Sequence, residues 1–233
     1  PLGTAGNVAG TGWLTAEVNA YTGSIYLNNT GNLRIGISNT NGISRSNAFP
    51  GIQVLATSGN HVVELGVTGV LSVPLISDTI KAPGAITVTV SNNIEAGCMI
   101  VGTNLPFVGS INGPVYMTSL NGDMLLGNYR ANLRYYADIT GKGVTLEAPN
   151  GSIIIDYVTY ITSVGGPLNI KAKNAIRVLK TGGYSGATFY TMDVTPVNIE
   201  APVFEMNSGG AIASSSAPMT ITTDSAIISA SVR

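Results

Sequence analysis

The chain has 233 residues, enough for one large domain or an elongated repeat array. Only 10% are charged, against roughly 25% in ordinary globular proteins, while 44% are apolar, a balance that excludes a disordered chain and argues against a helical cytosolic enzyme with Glu and Lys on its wet faces. Eleven basic and twelve acidic side chains leave a formal charge of -1, so no global field draws nucleic acid or an anionic membrane, and neither is expected as a partner.

The start, PLGTAG, has neither the basic region nor the long apolar stretch of a signal peptide. Residues 1–20 read as an N-terminal segment or incomplete first coil, and 21–233 as a single array. No run approaches the ~20 apolar residues of a helical membrane span. Eight segments then align in chain order: IYLNNTGNLRIG from Ile25, IQVLATSGNHVV from Ile52, ITVTVSNNIEAG from Ile86, VYMTSLNGDMLL from Val115, VTLEAPNGSIII from Val144, LNIKAKNAIRVL from Leu168, VNIEAPVFEMNS from Val197 and MTITTDSAIISA from Met219. Their starts lie about 28 residues apart on average, a period typical of solenoids.

Positions one and three of each segment are apolar and position two is mostly polar, the two-residue alternation of a strand with one buried face. Position five points inward on the same count and is small in most segments, at Asn29, Ala56, Ser119, Ala148, Ala172, Ala201 and Thr223. Position seven is Asn in four consecutive segments, with Gly122 and Gly151 following two of them, residues that tolerate the left-handed backbone of a tight bend. A second apolar alternation follows, as at Ile153 and Ile155. Each unit therefore reads as strand, bend, strand and a variable remainder.

One such unit cannot cover its own apolar face, so neighbours must stack. The expected fold is all-β, a right-handed parallel β-helix of about eight coils, with equivalent positions ~4.8 Å apart. An antiparallel sandwich has no reason to repeat one corner residue in four successive units. The register predicts an internal or corner amide ladder of Asn92, Asn121, Asn150 and Asn174, each side chain bonded to the next coil. It also stacks Glu147, Lys171 and Glu200 as negative, positive, negative on the outward position four, a favourable cross-strand arrangement.

Signals for chemistry are sparse. One cysteine, Cys98 in an apolar run, rules out an internal disulfide and reads as a buried thiol, and one histidine, His61, reads as a structural or surface residue and not a catalytic one. No GxSxG, HExxH, P-loop or EF-hand spacing occurs, so no metal or other cofactor is expected. A carbohydrate-active β-helix enzyme, a polysaccharide lyase or glycosidase, is the rival reading. It needs clustered carboxylates or a basic catalyst, and its best candidates here are Asp123, Asp138, Glu147 and Asp156. Seven of the eleven basic residues fall between Tyr129 and Tyr190. Within that stretch Tyr129, Arg130, Arg134, Tyr135 and Tyr136 are candidates to stack a sugar ring or touch a partner protein, as in a glycan-binding fibre domain.

The stretches TGSIYLNNTGNLRIG (22–36), VTLEAPNGSIIID (144–156) and GGPLNIKAKNAI (165–176) resemble the repeats of filamentous haemagglutinin-type exoproteins, the two-partner-secretion adhesins of Gram-negative bacteria. The resemblance runs from about Trp13 to the end. It implies a non-catalytic adhesive or structural rod, extracellular or on the cell surface. Its expected partners are copies of itself or flanking repeats of a longer chain, together with a surface glycan or protein receptor.

Overall fold

The computed structural model describes residues 14–16, 18–35, 51–73, 79–96, 100–101, 112–130, 133–135, 138–155, 159–178, 188–192, 197–208, 219–222 and 225–230. Among these there is no helix, and apart from one hairpin every strand pairing is parallel. The strands stack in three sheets, consistent with a solenoid of the β-helix type.

The chain visits the sheets in rotation. Leu14–Ala16 lies in sheet one, Val18–Ala20 in sheet two and Ile25–Asn29 in sheet three; the next circuit is Leu33–Ile35, Gly51–Val54 and Val63–Val67. Sheet one holds nine described strands, sheet two seven and sheet three eight. The two strands before residue 21 pair with Leu33–Ile35 and Gly51–Val54, which makes Leu14–Ala16 and Val18–Ala20 part of the stack.

Seven of the eight sequence segments open on a strand of sheet three: Ile25–Asn29, Ile86–Val90, Val115–Ser119, Val144–Ala148, Leu168–Ala172, Val197–Glu200 and Met219–Thr222. The segment from Ile52 does not. Gly51–Val54 belongs to sheet two, and the sheet-three strand of that circuit is Val63–Val67, paired with Ile25–Asn29 and Ile86–Val90. The stretch from Ala56, ATSGN, imitates the small residue and Asn of a true corner, but it follows a strand of sheet two and Ala56 is only half-buried. Where it is described, the variable remainder also has an assignment: it carries the third strand of the circuit, as in Thr79–Lys81 and Tyr160–Val164 of sheet two. Those strands escape a pattern search because some hold only two or three residues.

Alternation fixes which side chains meet. In sheet three, Val63, Ile86, Val115, Val144 and Leu168 form one fully buried inward column. Sheet one contributes Leu33, Leu71, Ile94, Met124, Ile153 and Ile176, and sheet two adds Ile52, Ile80, Ile139 and Ile161, all buried. Each such side chain contributes roughly 1.5–3 kcal/mol. The inward position five narrows along the stack, from Val67 and Val90 through Ser119 to Ala148, Ala172 and Ala201. The buried Ser119 hydroxyl keeps its polarity satisfied by donating to the Asn92 carbonyl, 2.6 Å away on the preceding coil.

Corner glycines have a different cause from the one the sequence suggests. Gly122 and Gly151 are not in the left-handed region, which is occupied instead by residues such as Gly31 (φ 101) and Gly143 (φ 92). They are required by crowding: a Cβ on Gly151 would stand 2.0 Å from the Gly122 carbonyl oxygen, and one on Gly122 would stand 2.7 Å from the Asn92 carbonyl carbon. The corner between sheets two and three repeats the device, with a Cβ on Gly113 falling 2.4 Å from the backbone of Gly84. Successive coils touch there main chain to main chain, with no room for a methyl group.

Candidate functional site

The outward face of sheet three is built by the same alternation that buries its inner face. Its two outward rows run across the coils in strict register. One row reads Tyr26, Glu64, Thr87, Tyr116, Thr145, Asn169, Asn198 and Thr220; the other reads Asn28, Gly66, Thr89, Thr118, Glu147, Lys171, Glu200 and Thr222.

Glu147, Lys171 and Glu200 are consecutive in the second row. Lys171 Nζ forms an ion pair with Glu200 Oε1 at 2.8 Å, with both side chains about half exposed. The hydrogen bond to Glu200 and its opposite charge raise the Lys171 pKa above the ordinary 10.5, slight desolvation opposes this, and the Glu147 charge adds a smaller push upward. At this exposure the pair orders the surface more than it stabilises the fold.

Asn92, Asn121, Asn150 and Asn174 sit together at the corner between sheets three and one, and all four are exposed, so the row lies outside the core. Asn150 makes the expected inter-coil side-chain bond, its Nδ2 donating to the Leu120 carbonyl at 2.7 Å. At the other three, inter-coil bonding runs through the main chain: Asn92 N–H to the Gly69 carbonyl, Asn121 N–H to Ser91 and Asn174 N–H to Gly151.

Two side-chain ladders absent from the sequence reading do bridge coils. In the first outward row Asn198 Nδ2 donates to Asn169 Oδ1 at 2.8 Å, and Asn169 Nδ2 reaches Thr145 Oγ1 at 3.5 Å. At the corner, one or two residues past the predicted asparagines, Asn93 Oδ1 accepts from the Asp123 N–H (3.0 Å) and Asp123 Oδ1 accepts from the Ser152 N–H (2.7 Å). Asn32 Oδ1 does the same for the Val70 N–H at 2.9 Å. Aligning segments on the residue before the second strand, rather than on the bend, was the signal that finds this ladder.

The three candidate acids among the described residues are not gathered into one place. Asp123 is bound into the corner ladder, Glu147 stands in the charge row of sheet three, and Asp138 begins the sheet-two strand Asp138–Gly141. Asp156 lies outside the described residues, as does Cys98. His61 is half-buried two residues before Val63, and its main-chain carbonyl accepts from the Gly84 N–H at 2.9 Å. Among the described residues no three His, Cys, Asp or Glu side chains converge on a point that could hold a metal ion.

The candidate partner-binding residues fall on the hairpin. Asn128–Arg130 pairs antiparallel with Leu133–Tyr135, placing Tyr129 across from Arg134 and Asn128 across from Tyr135. It is inserted between the sheet-one strand Met124–Leu126 and Asp138–Gly141 of sheet two, so four of the five named residues share one local element. Tyr136 lies outside the described residues. No protein-family model, curated protein or solved structure matches the chain.

Proposed function

We propose that the chain is a non-catalytic structural and adhesive component of a bacterial extracellular or cell-surface filament. It is a right-handed parallel β-helix of about eight coils that joins copies of itself or flanking repeats of a longer chain. The observation that carries this reading is the uninterrupted parallel pairing of sheets one and three across the stack. A parallel stack grows by translation, so the edge of one coil is already complementary to another coil of the same kind. The rule for parallel crossovers supports the right hand, and the nine, seven and eight described strands of the three sheets support a count of about eight coils. The resemblance to filamentous haemagglutinin-type repeats adds the bacterial surface. Dispersed carboxylates, one of them bound into a corner ladder, favour a scaffold over a lyase or glycosidase.

A partner-docking role for the hairpin is supported by the register that brings Tyr129, Arg130, Arg134 and Tyr135 into one two-stranded element. Electron microscopy and sedimentation across a concentration series test the main reading. Unbranched fibres that lengthen with concentration are expected, whereas short monodisperse rods at every concentration would refute end-to-end assembly. Release of reducing ends from polysaccharides would refute the non-catalytic assignment.

A further inference from the structure

The first outward row of sheet three holds two exposed tyrosines, Tyr26 at 62% and Tyr116 at 45% relative exposure. Isolated exposed aromatics are ordinary. These two share one row, because the register runs Tyr26 to Glu64 to Thr87 to Tyr116 through three coil steps. At one strand spacing per step they stand about 14 Å apart along the stack. Their backbones are locked in the parallel ladder and their neighbours Ile25, Val115 and Met117 are buried, so both rings are fixed to the outer side before any ligand arrives.

Between the rings the floor is low and polar. Glu64 and Thr87 occupy the row itself, and the adjacent row offers Gly66, which has no side chain, and the Thr89 hydroxyl. The Asn28 amide lies across the space Gly66 leaves, its Oδ1 only 2.3 Å from where a Cβ would be. Two hydrophobic ring faces separated by hydroxyl, amide and carboxylate groups suit a ligand that alternates C–H faces with hydroxyls. Saccharide chains have that chemistry.

Charge selects among saccharides. Glu64 is the one charged group in the two rows from Tyr26 to Tyr116, and the next charge along the face, Glu147, is also acidic. A polyuronate or sulfated chain meets repulsion there, and neither row holds a cation between Tyr26 and Tyr116 to offset it. The geometry points to a binding platform for an uncharged polysaccharide strand lying along the solenoid axis, stacked on Tyr26 and Tyr116 and hydrogen-bonded to the polar floor between them. This site is distinct from the Tyr129–Tyr135 hairpin, and its occupation does not depend on filament assembly.

Calorimetric titration of the full chain with cellohexaose and with chitohexaose tests the platform, with hexagalacturonate as the acidic counterpart and glucose as the short one. At least one uncharged hexasaccharide should bind saturably, more tightly than glucose, and hexagalacturonate should not. Tyr26→Ala and Tyr116→Ala should each weaken binding by about tenfold or more, and Tyr26→Phe should retain it, because the ring face and not the hydroxyl makes the contact. Both sites are exposed, and unchanged circular dichroism and melting of the variants would keep a binding loss from being read as unfolding. The proposal is overturned if neither uncharged hexasaccharide binds, if binding survives both alanine variants, or if the uronate binds better. Fibre formation by electron microscopy is a separate readout, so failure here and failure of the filament reading are distinguishable.

Discussion

Replacing Gly151 by Ala places one methyl group where two coils meet. The new Cβ would lie 2.0 Å from the Gly122 oxygen, 2.6 Å from its carbon and 2.9 Å from Asp123 Oδ1, where ordinary contact begins near 3.4 Å. The corner must open by more than an ångström. That movement pulls on the Ser152 N–H to Asp123 Oδ1 bond (2.7 Å), the Asn150 Nδ2 to Leu120 bond (2.7 Å) and the Asn174 N–H to Gly151 bond (3.0 Å). Losing two of them costs about 2 kcal/mol and overpacking about 1–3 kcal/mol more, offset by about 0.4–1 kcal/mol from a stiffer unfolded chain. A net loss of about 3 kcal/mol is expected in urea unfolding followed by far-ultraviolet circular dichroism. Gly23→Ala is the matched control, since Gly23 has φ +94 but nothing within 4 Å of the added carbon. It should cost only the left-handed backbone penalty, about 1–2 kcal/mol. If Gly151→Ala costs less than about 1 kcal/mol, or no more than Gly23→Ala, close approach of the coils is not why glycine stands at this corner.

Asn29 is buried with its Oδ1 unpartnered, above Val67 in the inward column. Asn29→Val should stabilise by about 1 kcal/mol, because the Gly31 carbonyl that loses the Asn29 amide keeps the Gly69 N–H; a lower urea midpoint would contradict this. Asn169→Ala and Asn198→Ala should show a coupling of about 0.5–1 kcal/mol in a double-mutant cycle, and strict additivity would mean the ladder contributes nothing. Because the Lys171 pKa is raised in the folded state, its contribution is complete below the unfolded value of 10.5 and disappears as pH rises through the folded value. The stability gap between the parent chain and Lys171→Gln should therefore be level from neutral pH to about 10.5 and close above it; a gap that closes on acidification instead, without the carboxylates titrating, would point to another group.

What could be read from the sequence was whatever a strand writes every second residue. Val115, Met117 and Ser119, or Leu168, Ile170 and Ala172, declare their inward face and the start of a sheet-three strand directly. The charge row followed from the same register, because position four is countable once position one is known. The Ile52 segment misled because ATSGN carries the small residue and Asn of a corner but follows a strand of sheet two, not sheet three. The amide ladder was displaced because its bonds depend on which side chain projects toward the next coil, a matter of backbone direction and not of residue type. The spacing of Tyr26 and Tyr116 was countable, but the floor between them was not: with Ile52 in place of Val63, it reads Gln53 and Leu55 instead of Glu64 and Gly66.

The direction of the ladder hydrogen bonds has a mechanical consequence. Tension applied along the stack acts parallel to those bonds and opens them one coil at a time, instead of shearing a whole sheet at once. From Ile86 to Val115 a coil occupies 29 residues, which when drawn out extend about 95–105 Å against the ~4.8 Å they occupy in the stack. Each coil that yields thus lengthens its tether roughly twentyfold while its neighbours stay folded. A chain built this way spreads a sudden pull over time, protecting whatever contact holds its far end.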